Sequence, residues 1–464
     1  MSRTEPPEIT TVAELRAAGH TQRGLREEIR DNLINKLAAG EDPWPGLHGF
    51  TDTVLPQVER ALLAGHDIVL LGERGQGKTR LLRSLVGLLD EWTPVIADTE
   101  LGEHPYDPIT PEGRRLAADQ GDDLRISWRH RDDRYAEKLA TPDTSVADLV
   151  GDVDPMKVAA GRHLGDPETI HYGLIPRTHR GIVAINELPD LAERIQVAML
   201  NVMEERDIQI RGYALRLPLD VLVVASANPE DYTNRGRIIT PLKDRFGAEI
   251  RTHYPLEVAD EVAMISQEAQ LVAEVPDHLL EILARFTRNL RDSAQVNQRS
   301  GVSARYTIAG AETVAAAALH RATVLGEPQA VARVVDLAAA VPVLAGKIEW
   351  ESGQEGREAD VTDHLLRLAV AETARHRLRG LDLGPVIDAM ADGAEVVTGP
   401  RVGATALLDS LPETGDGTFA HIAELLDAEG PGQQAAAVEL ALEALYLARR
   451  VAKDDADDGT STYG

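Results

Sequence analysis

Eight residues from Gly72 to Thr79, GERGQGKT, have the makings of a loop that holds a polyphosphate. Gly72, Gly75 and Gly77 let the backbone N–H groups of the loop, including those of Glu73, Arg74 and Gln76, turn toward phosphate oxygens. Lys78 supplies a point charge for the β and γ oxygens, Thr79 a hydroxyl for Mg²⁺, and the following helix a partial positive field. The setting gives the pattern its weight, because the apolar DIVLL precedes it and the helix-like RLLRSLVGLL follows. A second stretch, GIVAINELPDL, is an apolar run closing on Asn186 and Glu187. In phosphate-loop enzymes a strand like this ends in two carboxylates, one orienting the metal shell and one polarising the attacking water. Glu187 is therefore the expected base, and Asn186 joins Thr79 on the metal side. An amide keeps an acceptor oxygen but lacks the negative charge, which predicts weaker Mg²⁺ binding and slow turnover. On the same logic, Asn186→Asp is expected to tighten the Mg²⁺ dependence.

Three further residues fit the same chemistry. The run VLVVASANPEDY delivers Asn228 at its end, a polar group able to hold the attacking water or a γ-phosphate. In LKDRFGAEI, Arg245 is suited to stabilising transition-state charge from an adjacent subunit, and in GVSARYTIAG, Arg305 opens a helix that could lean over a nucleotide. Each piece alone has a plain structural reading: a Gly-rich turn, a buried strand meeting a helix cap, an Asn-Pro turn, a surface helix with an Asp–Arg pair. Their order along the chain is the stronger signal.

The elements that must position these residues follow from periodicity. Between 45 and 255, short Val/Ile runs (DIVLL, PVIAD, GIVAI, DVLVVASAN, AEIRTHY) alternate with helical patterns, which predicts an α/β unit with a parallel sheet covered on both faces. Residues 1–44 read as a charged helical arm whose segments end at glycines. From 256 to 345 the patterns are amphipathic helices, a helical lid, and 346–450 adds a further helical region. The acidic, small-residue end at 451–464 reads as disordered.

Composition narrows the function classes. A net charge of −28 opposes broad nucleic-acid binding. The absence of cysteine excludes disulfides, thiolate metal sites and Cys nucleophiles. No apolar run is long enough to span a membrane, and the N-terminus lacks the layout of a signal peptide, so a cytoplasmic location is expected. His163, His171 and His179 do not have a metal-ligand spacing and read as solvated loop histidines.

In their order, these motifs resemble those of AAA+ ATPases, and within that superfamily the magnesium chelatase I subunit and the MoxR-type ATPases. GERGQGKT is close to the chelatase GERGTGKS, RGIVAINELPDL to RGILYVDEVNLL, and ASANPED with PLKDRFG to GTGNPEE with QLLDRFG. GVSARY is similar to the sensor-2 arginine segment of both groups, and the resemblance runs over about residues 45–325. It implies a P-loop AAA+ core followed by its helical lid, ATP and Mg²⁺ as cofactors, and a homo-oligomeric, hexameric ring with ATP at subunit interfaces. It implies a chaperone-like hydrolase that remodels a protein client, with a von Willebrand factor A domain protein as partner; the acidic charge and the short apolar runs separately lead us to expect neither nucleic acid nor a membrane as partner. It also implies two insertions: a hairpin within 152–181, and another, RDIQIRGYALRLP, before the Asn228 strand. A motor subunit for magnesium insertion into protoporphyrin and a poorly hydrolysing ATP-binding scaffold are the alternatives. A sigma-54 activator would need a GAFTGA loop, a string this sequence lacks.

Overall fold

Continuous Val, Ile and Leu runs build the sheet at the heart of the first unit. In a computed structural model, β1 (Ile68–Leu71), β2 (Tyr135–Leu139), β3 (Gly181–Asn186), β4 (Val221–Ala227) and β5 (Ala248–Arg251) form one parallel sheet in the order β5-β1-β4-β3-β2. The structure describes residues 3–159, 169–204, 208–210, 213–215, 217–229, 236–297, 302–351, 356–414, 417–456 and 459–464. The chain divides into two compact units, Met1–His253 and Tyr254–Gly464.

Every residue of β1, β3 and β4 is buried, as expected of strands covered on both faces. Alternate residues go to opposite sides. Val69, Leu71, Val183, Ile185, Val223 and Ala225 pack with Ile195 and Met199 of α4 (Glu193–Glu204). Ile68, Leu70, Ile182, Ala184, Leu222 and Val224 pack with Val58 and Leu62 of α2 (Leu55–Leu63), with Leu81 and Leu82 of α3 (Lys78–Ser84), and with Leu25, Ile29 and Leu33 of α1 (Leu25–Ala39). The N-terminal segment expected as an arm is thus part of the core layer, because its i, i+4, i+8 leucine and isoleucine stripe is buried.

The expected strand PVIAD does not join this sheet. Trp92–Ile96 pairs antiparallel with Ile126–His130 instead, and the fifth parallel strand is Tyr135–Leu139, YAEKL. As an edge strand it is only half-buried and carries Glu137 and Lys138, so it has no apolar run. Both insertions contain antiparallel pairs: Gly151–Val153 with Ile170–Tyr172, and Ile208–Ile210 with Tyr213–Leu215. His163 lies outside the described residues. His171 is exposed beside Arg177, but His179 is buried rather than solvated, its Nδ1 accepting from the Asp220 N–H (3.2 Å).

In the second unit, α6 (Asp277–Asp292), α7 (Ala304–Leu325), α8 (Glu358–Arg377) and α9 (Gly430–Leu447) share one core that includes Leu283, Val314, Leu365, Ala369 and Leu440. The stretches expected as a lid and as a further helical region share this core. The tail, expected as disordered, forms strands among its described residues. Ser461–Tyr463 pairs with both Lys453–Asp455 and Val396–Thr398, because the buried Tyr463 ring, whose hydroxyl donates to Glu443, anchors an otherwise polar segment.

One buried ion pair ties α1 to the sheet. Arg134, fully buried just before β2, donates from Nη1 and Nη2 to Glu28 Oε1 and Oε2 (2.7 Å each) and from Nε to the Arg180 carbonyl (2.8 Å). Glu28 also accepts the Asp90 N–H (2.7 Å). Glu28→Gln is expected to destabilise the first unit by about 3–5 kcal/mol, since it leaves a buried guanidinium uncompensated. Denaturant unfolding checks this, and a Glu28→Met/Arg134→Leu double variant should recover most of the loss.

Buried neutral histidines add a pH dependence. Nδ1 of His104 accepts the Tyr106 N–H (3.1 Å), so its proton sits on Nε2, 3.1 Å from His20 Nε2. Burial, reinforced by the Arg180 charge, pushes His104 and His179 each down to about 3. A depressed folded value means the stability is complete above the unfolded pKa of about 6.5 and is lost as pH falls toward 3. His104→Asn keeps an acceptor without a titrating group. Its unfolding midpoint should decline less than wild type between about pH 6.5 and 5, and an identical decline would remove His104 as the cause.

Candidate nucleotide-binding site

The phosphate loop is built on the end of β1. Gly72 is squeezed: a Cβ there would lie 2.0 Å from Thr252 Oγ1 and 2.2 Å from Gln76 Oε1. Gly75 (φ 78°) and Gly77 (φ 74°) take left-handed conformations that turn the chain into α3. Gln76 points inward rather than toward a ligand. Its Oε1 accepts the Glu73 N–H (3.1 Å) and the Thr252 hydroxyl (2.8 Å), so it braces the loop against the end of β5. Lys78 is buried at the first position of α3, its Nζ donating to the carbonyls of Gly72 (2.5 Å) and Glu73 (2.6 Å). Thr79 is half-buried in the same first turn, while Arg74 is exposed. A glycine-bent loop with an inward lysine and a hydroxyl one residue later fits a nucleotide phosphate chain with its Mg²⁺.

Strand register brings the other edge residues alongside. Leu71 pairs with Ala227 and Ala225 with Ile185, and the Gly72 N–H donates to the Ala227 carbonyl (3.1 Å). The carboxyl ends of β1, β4 and β3 therefore line up, and they carry the loop, buried Asn228, and Asn186 with Glu187. This edge of an open parallel sheet is where ligands bind.

Asn186 is engaged at both ends of its amide. Nδ2 donates to Glu137 Oε1 (2.7 Å) and Oδ1 accepts from Ser226 Oγ (2.9 Å). Glu137 in turn receives Arg83 of α3 through Nε (2.7 Å) and Nη2 (3.0 Å), and the Tyr135 hydroxyl (3.2 Å). The Arg83 guanidinium, with smaller help from Tyr135 and Asn186, holds the Glu137 carboxyl below its ordinary range. Glu187 sits at φ 55°, ψ 49°, a left-handed conformation costly for a residue with a Cβ. Its N–H donates to Ser226 Oγ (3.4 Å), so one hydroxyl links both residues.

The two arginines stand differently. Arg245 ends α5 (Thr240–Arg245), is exposed, and donates to Glu204 through Nε (3.1 Å) and Nη2 (2.5 Å) rather than to any edge residue. Arg305 lies exposed in the first turn of α7, in the second unit. Sequence reasoning passed over Glu137, Ser226, Thr252 and Arg83. The only available hint was Asn186 itself, since an amide in a carboxylate position invites a search for the acid it faces.

Comparison with known proteins agrees with this geometry. The Sigma-54 interaction domain family matches residues 159–245, the stretch holding Asn186, Glu187, Asn228 and Arg245. The magnesium-chelatase subunit ChlI of Anabaena variabilis is 26% identical over 217 residues, 46% of this chain and 60% of that protein. The ChlI of Synechocystis is 29% identical over 192 residues, 40% of this chain and 50% of its own. The magnesium-chelatase 38 kDa subunit of Acidiphilium rubrum is 26% identical over 316 residues, covering 66% and 76% respectively. The first of these matches span 50–60% of the relatives' own length. Sheet order, motif order and these matches agree in relating the chain to the AAA+ proteins and, among them, to the magnesium chelatase I subunits.

Proposed function

We propose that this protein is an Mg²⁺-dependent ATPase, a homo-oligomeric ring motor of cytoplasmic location that uses ATP turnover to remodel or activate a partner protein. The observation that carries the reading is the shared edge where the 72–79 loop, Asn186, Glu187 and Asn228 meet. Residues Gly72 to Gly77 would cradle the phosphates through backbone amides, with Lys78 exchanging loop carbonyls for phosphate oxygens. Bound Mg²⁺ would neutralise charge developing on those oxygens. Thr79 and Asn186 would hold its shell, Glu187 would take the proton of the attacking water, and Asn228 would orient that water. Arg245 would be offered across a subunit interface, and Arg305 would sense the nucleotide.

A hexameric assembly and a partner with a von Willebrand factor A domain are proposed from resemblance to chelatase-like and MoxR-like proteins. The net charge of −28 argues against nucleic acid as the client. Among the described residues no helix is long and apolar enough to cross a membrane. Magnesium insertion into protoporphyrin, as the motor subunit, is the second reading, favoured by the chelatase names of the relatives. A poorly hydrolysing scaffold is the third.

Lys78→Ala is expected to lose ATP affinity by on the order of 100-fold in a direct titration, since a charge-assisted phosphate contact disappears. Glu187→Gln should still bind ATP while turnover falls by on the order of 100-fold. Wild-type turnover no higher than that of Glu187→Gln, with the ring assembled, would favour the scaffold.

Arg245→Ala should bind ATP normally and fail to hydrolyse it. Mixed with Glu187→Gln protein, it should regain part of the activity, because some interfaces then combine an intact Glu187 with an intact Arg245. Absence of recovery in rings proven to be mixed would place Arg245 outside the catalytic interface.

A further inference from the structure

We propose that Glu137 is the positioning residue for the metal side of the site: it stands in for the acid absent from position 186, and it is the reason that position holds an amide. The inference rests on the nucleotide-site reading above and deepens it.

The geometry leaves little freedom at 186. Asn186 Nδ2 lies 2.7 Å from Glu137 Oε1, a contact that needs a donor on the Asn186 side. An aspartate there would set two carboxylates against each other at hydrogen-bond distance in a nearly closed environment, Asn186 being 7% exposed. Glu137 cannot readily turn away, since Arg83 grips both of its oxygens from α3 and Tyr135 adds a third bond. With Nδ2 committed to Glu137, Oδ1 must face the other way. There it accepts from Ser226, which also accepts the Glu187 N–H.

The circuit therefore runs from the helix that carries Lys78 and Thr79, through Arg83, Glu137, Asn186 and Ser226, to the backbone of Glu187. It joins α3, β2, β3 and β4. Donation from Nδ2 to a carboxylate draws electron density toward Oδ1, the atom left to accept from the waters of a bound cation. The missing negative charge has thus moved one strand outward, and the amide passes part of its effect inward. This reverses the expectation from sequence alone: Asn186→Asp should harm the site.

The test is a cycle of Asn186→Asp, Glu137→Gln and both together. Each protein is measured twice: by its unfolding midpoint without nucleotide or Mg²⁺, and by the Mg²⁺ dependence of ATP binding in a titration. Asn186→Asp is expected to lower the midpoint and to raise the Mg²⁺ requirement about tenfold, the scale of one charged hydrogen bond. The double variant should recover both, because the amide introduced at 137 can donate to the carboxylate introduced at 186 and so restore the bond with its direction inverted. Additive single effects, or an Asn186→Asp protein whose midpoint holds and whose Mg²⁺ requirement falls, would overturn the assignment. Recovery of the midpoint without recovery of the Mg²⁺ requirement would also overturn it, since Glu137 would then serve the fold alone. Failure of the wild type to bind Mg²⁺ and ATP at all would sink the nucleotide reading, and with it any metal-side role for Glu137.

Discussion

A parallel sheet buried on both faces admits almost no polar side chain along its length. In β1, β3 and β4 both sides of every residue meet core, so polar groups are confined to the strand ends. That constraint gathers Gly72, Asn186, Glu187 and Asn228 onto one edge, although they come from three separate parts of the sequence. It also leaves the opposite edge to buried ionic structure, where Asp67 accepts from Arg26 (2.8 Å) and from the Val223 N–H (2.9 Å). One end of the sheet is braced by charge pairs, and the other carries the residues proposed to hold a nucleotide.

The same economy governs the buried cations of this acidic chain. Arg134 is met by Glu28, Arg321 by Asp336 and Glu327, and Arg333 by Glu439 (3.4 Å) with two carbonyl acceptors, Gly399 and Val402. Pairs of this kind add little net stability compared with apolar packing, but they penalise any arrangement that separates the partners. Two of them join segments distant in sequence, α1 to the entry of β2 and Arg333 to α9, while Arg321 fastens α7 to the turn after it. Some of the 76 acidic residues are therefore the matched half of buried pairs, which cancel and leave the net charge of −28 to the remaining groups.

Legibility in the sequence followed burial and contiguity. The β1, β3 and β4 runs are readable because strands covered on both faces consist of Val, Ile and Leu. The edge strand YAEKL is not, because one flank meets solvent and its side chains mix Tyr, Glu and Lys. PVIAD has the right composition for the central sheet but finds its partner in Ile126–His130, a tertiary choice that no local pattern encodes. In the site, the 72–79 loop is one contiguous string tied to a backbone shape and is legible as such. Glu137, Ser226 and Thr252 are ordinary residues that acquire a role only through register. The tail misleads by composition, since a single aromatic, Tyr463, outweighs the acidic residues around it.

The Arg245–Glu204 pair bears on how the arginine proposed as a finger would be kept ready. Both side chains are substantially exposed, at 39% and 47%, so their ion pair is screened and contributes about 0–1 kcal/mol. A guanidinium exchanging that partner for a phosphate in a water-poor interface gains a stronger charge-assisted contact at small cost. Glu204 closes α4, the helix that starts just after Asn186 and Glu187 and packs Ile195 and Met199 on the sheet. The pair therefore ties the arginine of one helix to the frame that carries its own Glu187. Under the proposed role, release of Arg245 toward a neighbour would free the last turn of α4 and so couple that interface to the edge carrying Glu187, with no rearrangement of the sheet.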